Sequence, residues 1–466
     1  MTKAASSMRS IKLNTLCLVL CIVSGLALFA NLSSLAKLLP EDVLPTEPTE
    51  LVPSSKQQVS TTPPPPQQKH QQQLMSGKPT VIPLLNITGL DLFAQLQARN
   101  LAKASPSKPL SIYLFPLHMT DKMYLVDELK HFIHDGIMNS PYLNYTTDLH
   151  ANSSDLWIAQ TMLGFAPSRW CKQFLFVLTS AYRKRKERTP LILMDWHDRV
   201  DLFTCPGVVE WMKGRRNVFY TKRGIVSGRR FSGSRIETGR IETYSNWSEI
   251  AGAPVRHTPY AVRSDFVRAL EQVLHHGTKS LLKIDVVGLK RPKDVVHFWP
   301  LKGLGVDRGG SFMNSKLRDA VSRLLVELAQ KEGLNTYAGL AGKANLVGRN
   351  TVDLSYAKSI LEYKIVVVAQ KDTHEEHYRL MEAIVSGALV LSDVMLSIPK
   401  DFVDGESIVF YKDMEDLRAK IKYYLDHNDE RMAIAKRGWT LAMNRHRSWH
   451  RMEEVIFGQI LSPAIP

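Results

Sequence analysis

Read from its amino terminus, the chain changes hydrophobic rhythm several times. Thr15 to Ala30 is an almost unbroken apolar run preceded by Lys3, Arg9 and Lys12, and it thins out at Asn31, Ser33, Ser34 and Lys37. Counted to Ala36, it reaches the ~20 residues that cross a hydrocarbon core, and its basic flank favours a cytosolic amino terminus. From Pro40 to Pro83 all periodicity is lost: prolines at 40, 45, 48 and 53, the run Pro63 to Pro66, and glutamines at 67 and 71 to 73 make an extended, solvated spacer with nothing to bury. Beyond Leu110 short apolar runs alternate with longer amphipathic ones. Ser111–Leu117, Leu156–Ala159, Pro190–Met194, Asn217–Tyr220 and Val255–Tyr260 read as strands, and Asp121–His134 and Ser264–His275 have helical spacing.

The rhythm restarts near Lys283. A strand at Val295–Trp299 leads through Gly303, Gly305, Gly309 and Gly310 to a helix over Asn314–Glu332, whose Leu317, Val321, Leu324, Leu325 and Leu328 share one stripe. Leu334–Tyr337 reads as a strand and Val352–Leu361 as a helix. Ile365 to Ala369 is a buried strand by its β-branched density. Helix Tyr378–Ser386, strand Ala388–Ser392 and a helical end from Met414 to Gln459, broken at His427–Glu430, complete the pattern. Strand–helix alternation of this kind predicts two parallel α/β sheets, each covered on both faces. The predicted layout is a cytosolic tail (1–14), a transmembrane signal-anchor (15–36), a Pro/Gln-rich stem (37–83), and two α/β domains at 84–280 and 281–466.

Composition narrows this picture. With 466 residues, 44% apolar and 23% charged, the chain is neither wholly disordered nor a multi-span membrane protein. Lys and Arg outnumber Asp and Glu by 60 to 45, a net charge of +15, so anionic partners are expected. Nucleic acid is not among them, because no recognition module is present and the anchor directs the body to a lumen. A cleaved signal peptide ending near Ser34-Leu35-Ala36 is the alternative to the anchor, with secretion or residence in the endoplasmic reticulum as its consequence. Sequons at Asn86, Asn144, Asn152 and Asn246 suit a lumenal address. Outside the apolar run only Cys171 and Cys205 remain; they are available for pairing, and no Cys-x-x-Cys or His-rich spacing suggests a metal.

Chemistry concentrates between Ile365 and Asp393. In parallel α/β sheets ligands lie beyond the carboxyl ends of the strands, where the next helix directs free N–H groups outward. This places the polar loop Gln370 to His377 at a pocket. Glu375, Arg379, Glu382 and Ser386 fall on one face by helical spacing. An arginine one turn in complements a diphosphate, a glutamate further in can accept ribose hydroxyls, and Gly387 permits the tight turn into the next strand.

The stretch from Tyr378 through Arg379-Leu380-Met381-Glu382-Ala383 to Ser386-Gly387 and Asp393, with Ile398-Pro399, Asp404-Gly405-Glu406 and Val409-Phe410-Tyr411, resembles the nucleotide-sugar half of GT-B glycosyltransferases. It is similar to the group-1-like family over roughly Arg291 to Trp449, and exostosin-like enzymes share much of the pattern. The resemblance implies two Rossmann-like domains facing across a cleft. It implies Glu382 on the donor ribose, with Arg379 and the N–H groups near Tyr378 on the diphosphate. Asn314, Lys316 and Arg318, opening the helix after the glycine-rich loop, are further phosphate candidates. One departure stands out: the residue eight before Glu382 is His374, so the first acid of the retaining-type Glu-x7-Glu pattern is missing, and the stereochemistry stays open.

An acceptor hydroxyl needs a general base. Asp195, His197 and Asp198, directly after the strand that ends at Met194, are the candidates in the first domain, with His118 and Tyr113 behind them. No Asp-x-Asp of the GT-A type occurs, so no cofactor or metal is expected, and the nucleotide-sugar enters as substrate. Anchor, stalk and globular body together form the layout of a Golgi type II glycosyltransferase acting on a glycan or glycoprotein. A catalytically inactive GT-B-like lumenal adaptor shares that layout, whereas a sulfotransferase would need a P-loop-like stretch that is absent.

Overall fold

A computed structural model describes residues 88–115, 129–146, 154–160, 168–184, 189–195, 207–224, short stretches between 226 and 249, then 252–299, 315–339, 352–370, 375 and 378–463. The predicted tail, anchor and stem lie outside these residues, as do Cys205, Asn86, Asn152, Asn246 and most of Asp121–His134. Among the described residues no helix is long and apolar enough to cross a membrane. Everything described belongs to one compact unit, Pro83–Pro466.

The first lobe begins with α1 (Thr88–Lys103), β1 (Leu110–Phe115), α2 (Asp135–Asn139), β2 (Leu143–Thr146), β3 (Leu156–Gln160), α3 (Ser168–Lys184), β4 (Leu191–Asp195), α4 (Val208–Met212) and β5 (Val218–Lys222). A short hairpin ladder follows, in which β6 (Val226–Ser227) pairs with β9 (Arg240–Ile241) and β7 (Arg230–Ser232) with β8 (Arg235–Glu237). With β10 (Val255–His257) the sheet is complete, in the order β10-β5-β4-β3-β1-β2, every pair parallel. Alternation along the strands serves two cores. Ile112, Leu114, Ile158 and Ile192 face one, with α1 and α2, while Tyr113, Trp157, Leu191 and Tyr220 face the other, with α3 and α4. Residues buried on both faces explain why these strands read as unbroken apolar runs.

Helix α5 (Ser264–His275) leads to the second lobe: β11 (Lys293–His297), α6 (Lys316–Glu332), β12 (Thr336–Ala338), α7 (Leu354–Ile360), β13 (Tyr363–Val368), α8 (Tyr378–Val385), β14 (Leu389–Asp393) and β15 (Val409–Tyr411). Its sheet is also parallel, in the order β12-β11-β13-β14-β15. Val296, Val366, Val368 and Val390 face α5, α7 and α8; Val295, Ile365, Val367 and Leu391 face α6 and the helix α9 (Met414–Asp426). Because β12 and β13 lie on opposite sides of β11, the crevice between β11 and β13 is the topological switch point, the place where ligands bind in open α/β sheets. The two expected parallel sheets are therefore present.

Two differences from the predicted pattern concern the carboxyl-terminal helices. The break is a single residue, His427, between α9 and α10 (Asn428–Arg445), and a second break at His446-Arg447 precedes α11 (Ser448–Phe457). Helix α11 returns to the first lobe: Met452, Val455, Ile456 and Phe457 join the core of the first sheet. Gln97 donates to the carbonyls of Glu454 and Val455, and Asn100 to that of Ile456. The lobes also meet at a backbone bond from Val262 N–H to the His446 carbonyl, 2.6 Å.

This junction makes folding sensitive to acid. Burial, then the guanidinium of Arg451, lowers the His446 pKa to about 3; burial, then Arg447 and Arg451, lowers that of His450 to about 4. Between pH 6.5 and those values the unfolded chain binds protons that the folded chain refuses, so stability falls as pH drops, by up to about 1.4 kcal/mol per pH unit for each histidine. Urea unfolding measured from pH 7.5 downwards is expected to show this loss, and His446→Gln a shallower slope.

Candidate active site

At the switch point two helices begin. The hydroxyl of Ser315 caps α6, its Oγ accepting the Arg318 N–H at 3.3 Å. The helix therefore opens at Lys316 rather than Asn314, which lies outside the described residues. Capping from Ser315 sets the rotation of the first turn: Lys316 is exposed and Arg318 is buried. The Arg318 Nε donates to the Ala369 carbonyl just past β13, 2.9 Å, and its guanidinium carbon sits 4.7 Å from the centre of the Trp299 ring.

Helix α8 mirrors this arrangement across the crevice. The Arg379 Nη1 donates to the Phe298 carbonyl just past β11, 2.7 Å. Each arginine thus spans from its own helix to the end of a central strand, and both charges converge on His297. Burial, then Arg318 and Arg379, pushes that imidazole well below its ordinary value. Its Nδ1 lies 3.0 Å from the Ser322 Oγ, whose own proton goes to the Trp299 carbonyl at 2.7 Å. Ser322 must then accept, which fixes His297 as a neutral Nδ1–H tautomer. With the histidine neutral, the positive groups at this end of the crevice are the two guanidiniums, together with the first N–H groups of α6 and α8.

One turn further along α8, Glu382 is 2% exposed and its Oε2 accepts from the Tyr356 hydroxyl of α7 at 2.8 Å. Nothing in the sequence marks Tyr356, a lone tyrosine on the buried side of a short helix. Tyr378, Arg379, Glu382 and Arg318 are thus brought together around one crevice.

Other candidates are placed elsewhere. Glu375 precedes α8 instead of lying on it, and its carboxylate accepts the N–H groups of Leu396 and Ser397 at 2.9 and 2.7 Å, tying down the loop after β14. Ser386 and Gly387 lie past the far end of α8, about 12 Å from its start at 1.5 Å per residue. There the Ser386 carbonyl accepts from Arg291, and a Cβ on Gly387, at φ +77°, would stand 2.9 Å from the Val286 carbonyl oxygen. These two residues shape the turn between helix and strand at the amino edge of the sheet.

In the first lobe Asp195 ends β4 and is 2% exposed. Its Oδ2 accepts from the buried ammonium of Lys222, 3.0 Å away, and from the Tyr220 hydroxyl. Register pairing of Asp195 with Lys222 on β5 creates this ion pair, which pins two strand ends together. Tyr113 is packed in the core beside Trp157. His118, His197 and Asp198 lie outside the described residues. Among the described residues no group of three His, Cys, Asp or Glu side chains could hold a metal ion.

Residues 263–456 match the family described as glycosyl transferase-like. The matched segment starts at α5, contains the whole second sheet and both arginines, and ends within α11. Solved structures with a similar chain path include the HepE protein of Anabaena in complex with UDP, at 12% identity over 65% of this chain and 77% of that one, with a TM-score of 0.35. WaaG, a glycosyltransferase involved in lipopolysaccharide biosynthesis, aligns at 10% identity over 75% of this chain and 100% of its own, TM-score 0.37. Sucrose-phosphate synthase from Thermosynechococcus elongatus aligns at 10% identity over 63% and 70%, TM-score 0.33. Among curated proteins none matches. The second lobe, with the helix that leads into it, is thus similar to glycosyl transferase-like proteins.

Proposed function

We propose that the enzyme transfers a sugar from a nucleotide-sugar donor to a hydroxyl of a glycan or glycoprotein, in the Golgi lumen, held there by the apolar segment 15–36. The observation that carries the donor assignment is the pairing of Arg318 and Arg379 across the switch-point crevice, with the Glu382 carboxylate one turn deeper. In this reading Arg379 and the α8 N–H groups bind the diphosphate, and Glu382 accepts ribose hydroxyls in place of part of its bond to Tyr356. As the glycosidic bond to the donor breaks, charge accumulates on the departing diphosphate, where fixed guanidiniums and helix dipoles stabilise it most. No further cofactor is needed for that step.

The acceptor proton passes to a base from the first lobe. Asp195 is committed to Lys222 and Tyr220, so its part is to fix the end of β4, and the base is assigned to His197 or Asp198, which follow β4 in sequence. The apolar anchor, the proline-rich stem and the exposed sequon Asn144 on β2 support a lumenal address.

A nucleotide-sugar panel, read out by heat protection and by release of nucleotide, tests the reading. Wild type is expected to select one donor, and Glu382→Ala to bind it about tenfold more weakly, the loss of a charge-assisted hydrogen bond. A donor that binds both alike would refute the assignment. Binding without hydrolysis or transfer to any acceptor would favour an adaptor instead.

A further inference from the structure

One contact across the lobes is built from groups that the transfer reaction, as described, does not use. Tyr260, past the end of β10 in the first lobe, is 8% exposed, and its ring centre lies 6.2 Å from that of Tyr378, the first residue of α8, with the ring planes at 79°. Tyr378 belongs to the second lobe by sequence yet packs against the core of the first. The guanidinium carbon of Arg223 sits 4.4 Å from the centre of the Tyr260 ring. Arg223 follows β5, is 2% exposed, and its N–H donates to the Asp195 carbonyl at 3.1 Å. A continuous path therefore runs from the ends of β4 and β5, through Arg223 and Tyr260, to the first turn of α8.

We propose that Tyr260, oriented by Arg223, is a positioning residue for the donor's diphosphate: its edge-to-face contact with Tyr378 sets where the first turn of α8 and the adjoining Arg379 stand. This rests on the donor reading of α8 given above. Aromatic pairs and cation–π contacts depend on ring orientation, which an aliphatic side chain of similar volume does not reproduce. The field of a helix terminus acts mainly within its first turn, so a small displacement there is felt by the phosphates. Glu382 is anchored separately, through Tyr356 to α7. Disturbing Tyr260 should consequently weaken recognition of the second phosphate and spare the ribose.

The two contributions separate when uridine, guanosine and cytidine di- and monophosphates are titrated calorimetrically onto the full-length chain. Wild type is expected to prefer the diphosphate of one base. Tyr260→Leu should lose about tenfold in affinity for that diphosphate while its monophosphate affinity changes by less than about twofold, and Tyr260→Phe should behave as wild type. An unchanged ratio of diphosphate to monophosphate affinity in Tyr260→Leu would overturn the proposal and leave the donor reading intact. Failure of wild type to bind any of the diphosphates would instead overturn the donor reading, and the positioning role with it. If Tyr260→Leu does not fold, hydrogen exchange on wild type decides. Added diphosphate should slow exchange in residues 256–262 as well as in 378–385, and protection confined to 378–385 would refute the link.

Discussion

Arg379→Ala is expected to reduce turnover by about 10²- to 10³-fold, the range found when a fixed donor is removed from a site of developing negative charge. Arg379 is half-buried, crosses from α8 to the Phe298 carbonyl, and faces the neutral His297 with Arg318 on the opposite side. Lysine at this position can restore the charge but not the planar fork, so Arg379→Lys should recover only part of the activity. Steady-state kinetics with the selected donor, alongside thermal unfolding, checks the effect. A loss of turnover with little change in Tm supports a role in the reaction. An equal loss in a variant of exposed Lys316, on the first turn of α6, would show that general charge, not this crevice, is what the donor reads.

Gly136→Ala is expected to cost about 2–3 kcal/mol of stability, the upper part of the range for overpacking a close contact. A Cβ there would fall 2.5 Å from Met452 Cγ and 2.7 Å from the Ser448 carbonyl oxygen. Helices α2 and α11 pack tightly at this point, where the carboxyl-terminal helix re-enters the first lobe. Next to it the buried Asp135 Oδ2 accepts from the hydroxyls of both Ser264 and Ser448 at 2.5 Å, with Arg268 3.7 Å from Oδ1. One carboxylate thus holds together α2, the helix α5 that leads to the second lobe, and α11. Displacing α11 would disturb all three, and a lower urea midpoint for Gly136→Ala with an unchanged slope would register it.

How much of this could be read from the chain depends on whether the cause was local. The strand at Ile365–Val368 and the turn at Gly387 were legible because β-branched density and a left-handed backbone position are properties of a few neighbouring residues. Arg379 and Glu382 stood out for the same reason, sharing one short helix. Partnerships between distant residues were not legible. Glu382 with Tyr356, Asp195 with Lys222, and Asp135 with Ser448 arise only once sheets and helices have assembled. The phosphate candidates on α6 show a finer limit: residues two apart in a helix point about 200° away from each other, so Lys316 is exposed while Arg318 is buried, and proximity in sequence did not say which of them turns inward. Helix α11 was legible as a helix, but an amphipathic face does not say which core will cover it.

The most direct test is a crystal structure with the nucleoside diphosphate of the selected donor. Its phosphates should lie within hydrogen-bonding distance of Arg379 and the first N–H groups of α8, with a ribose hydroxyl against Glu382. Nucleotide seated at the carboxyl edge of the first sheet, or on the outer face of α6, with Arg379 and Glu382 untouched, would contradict the account.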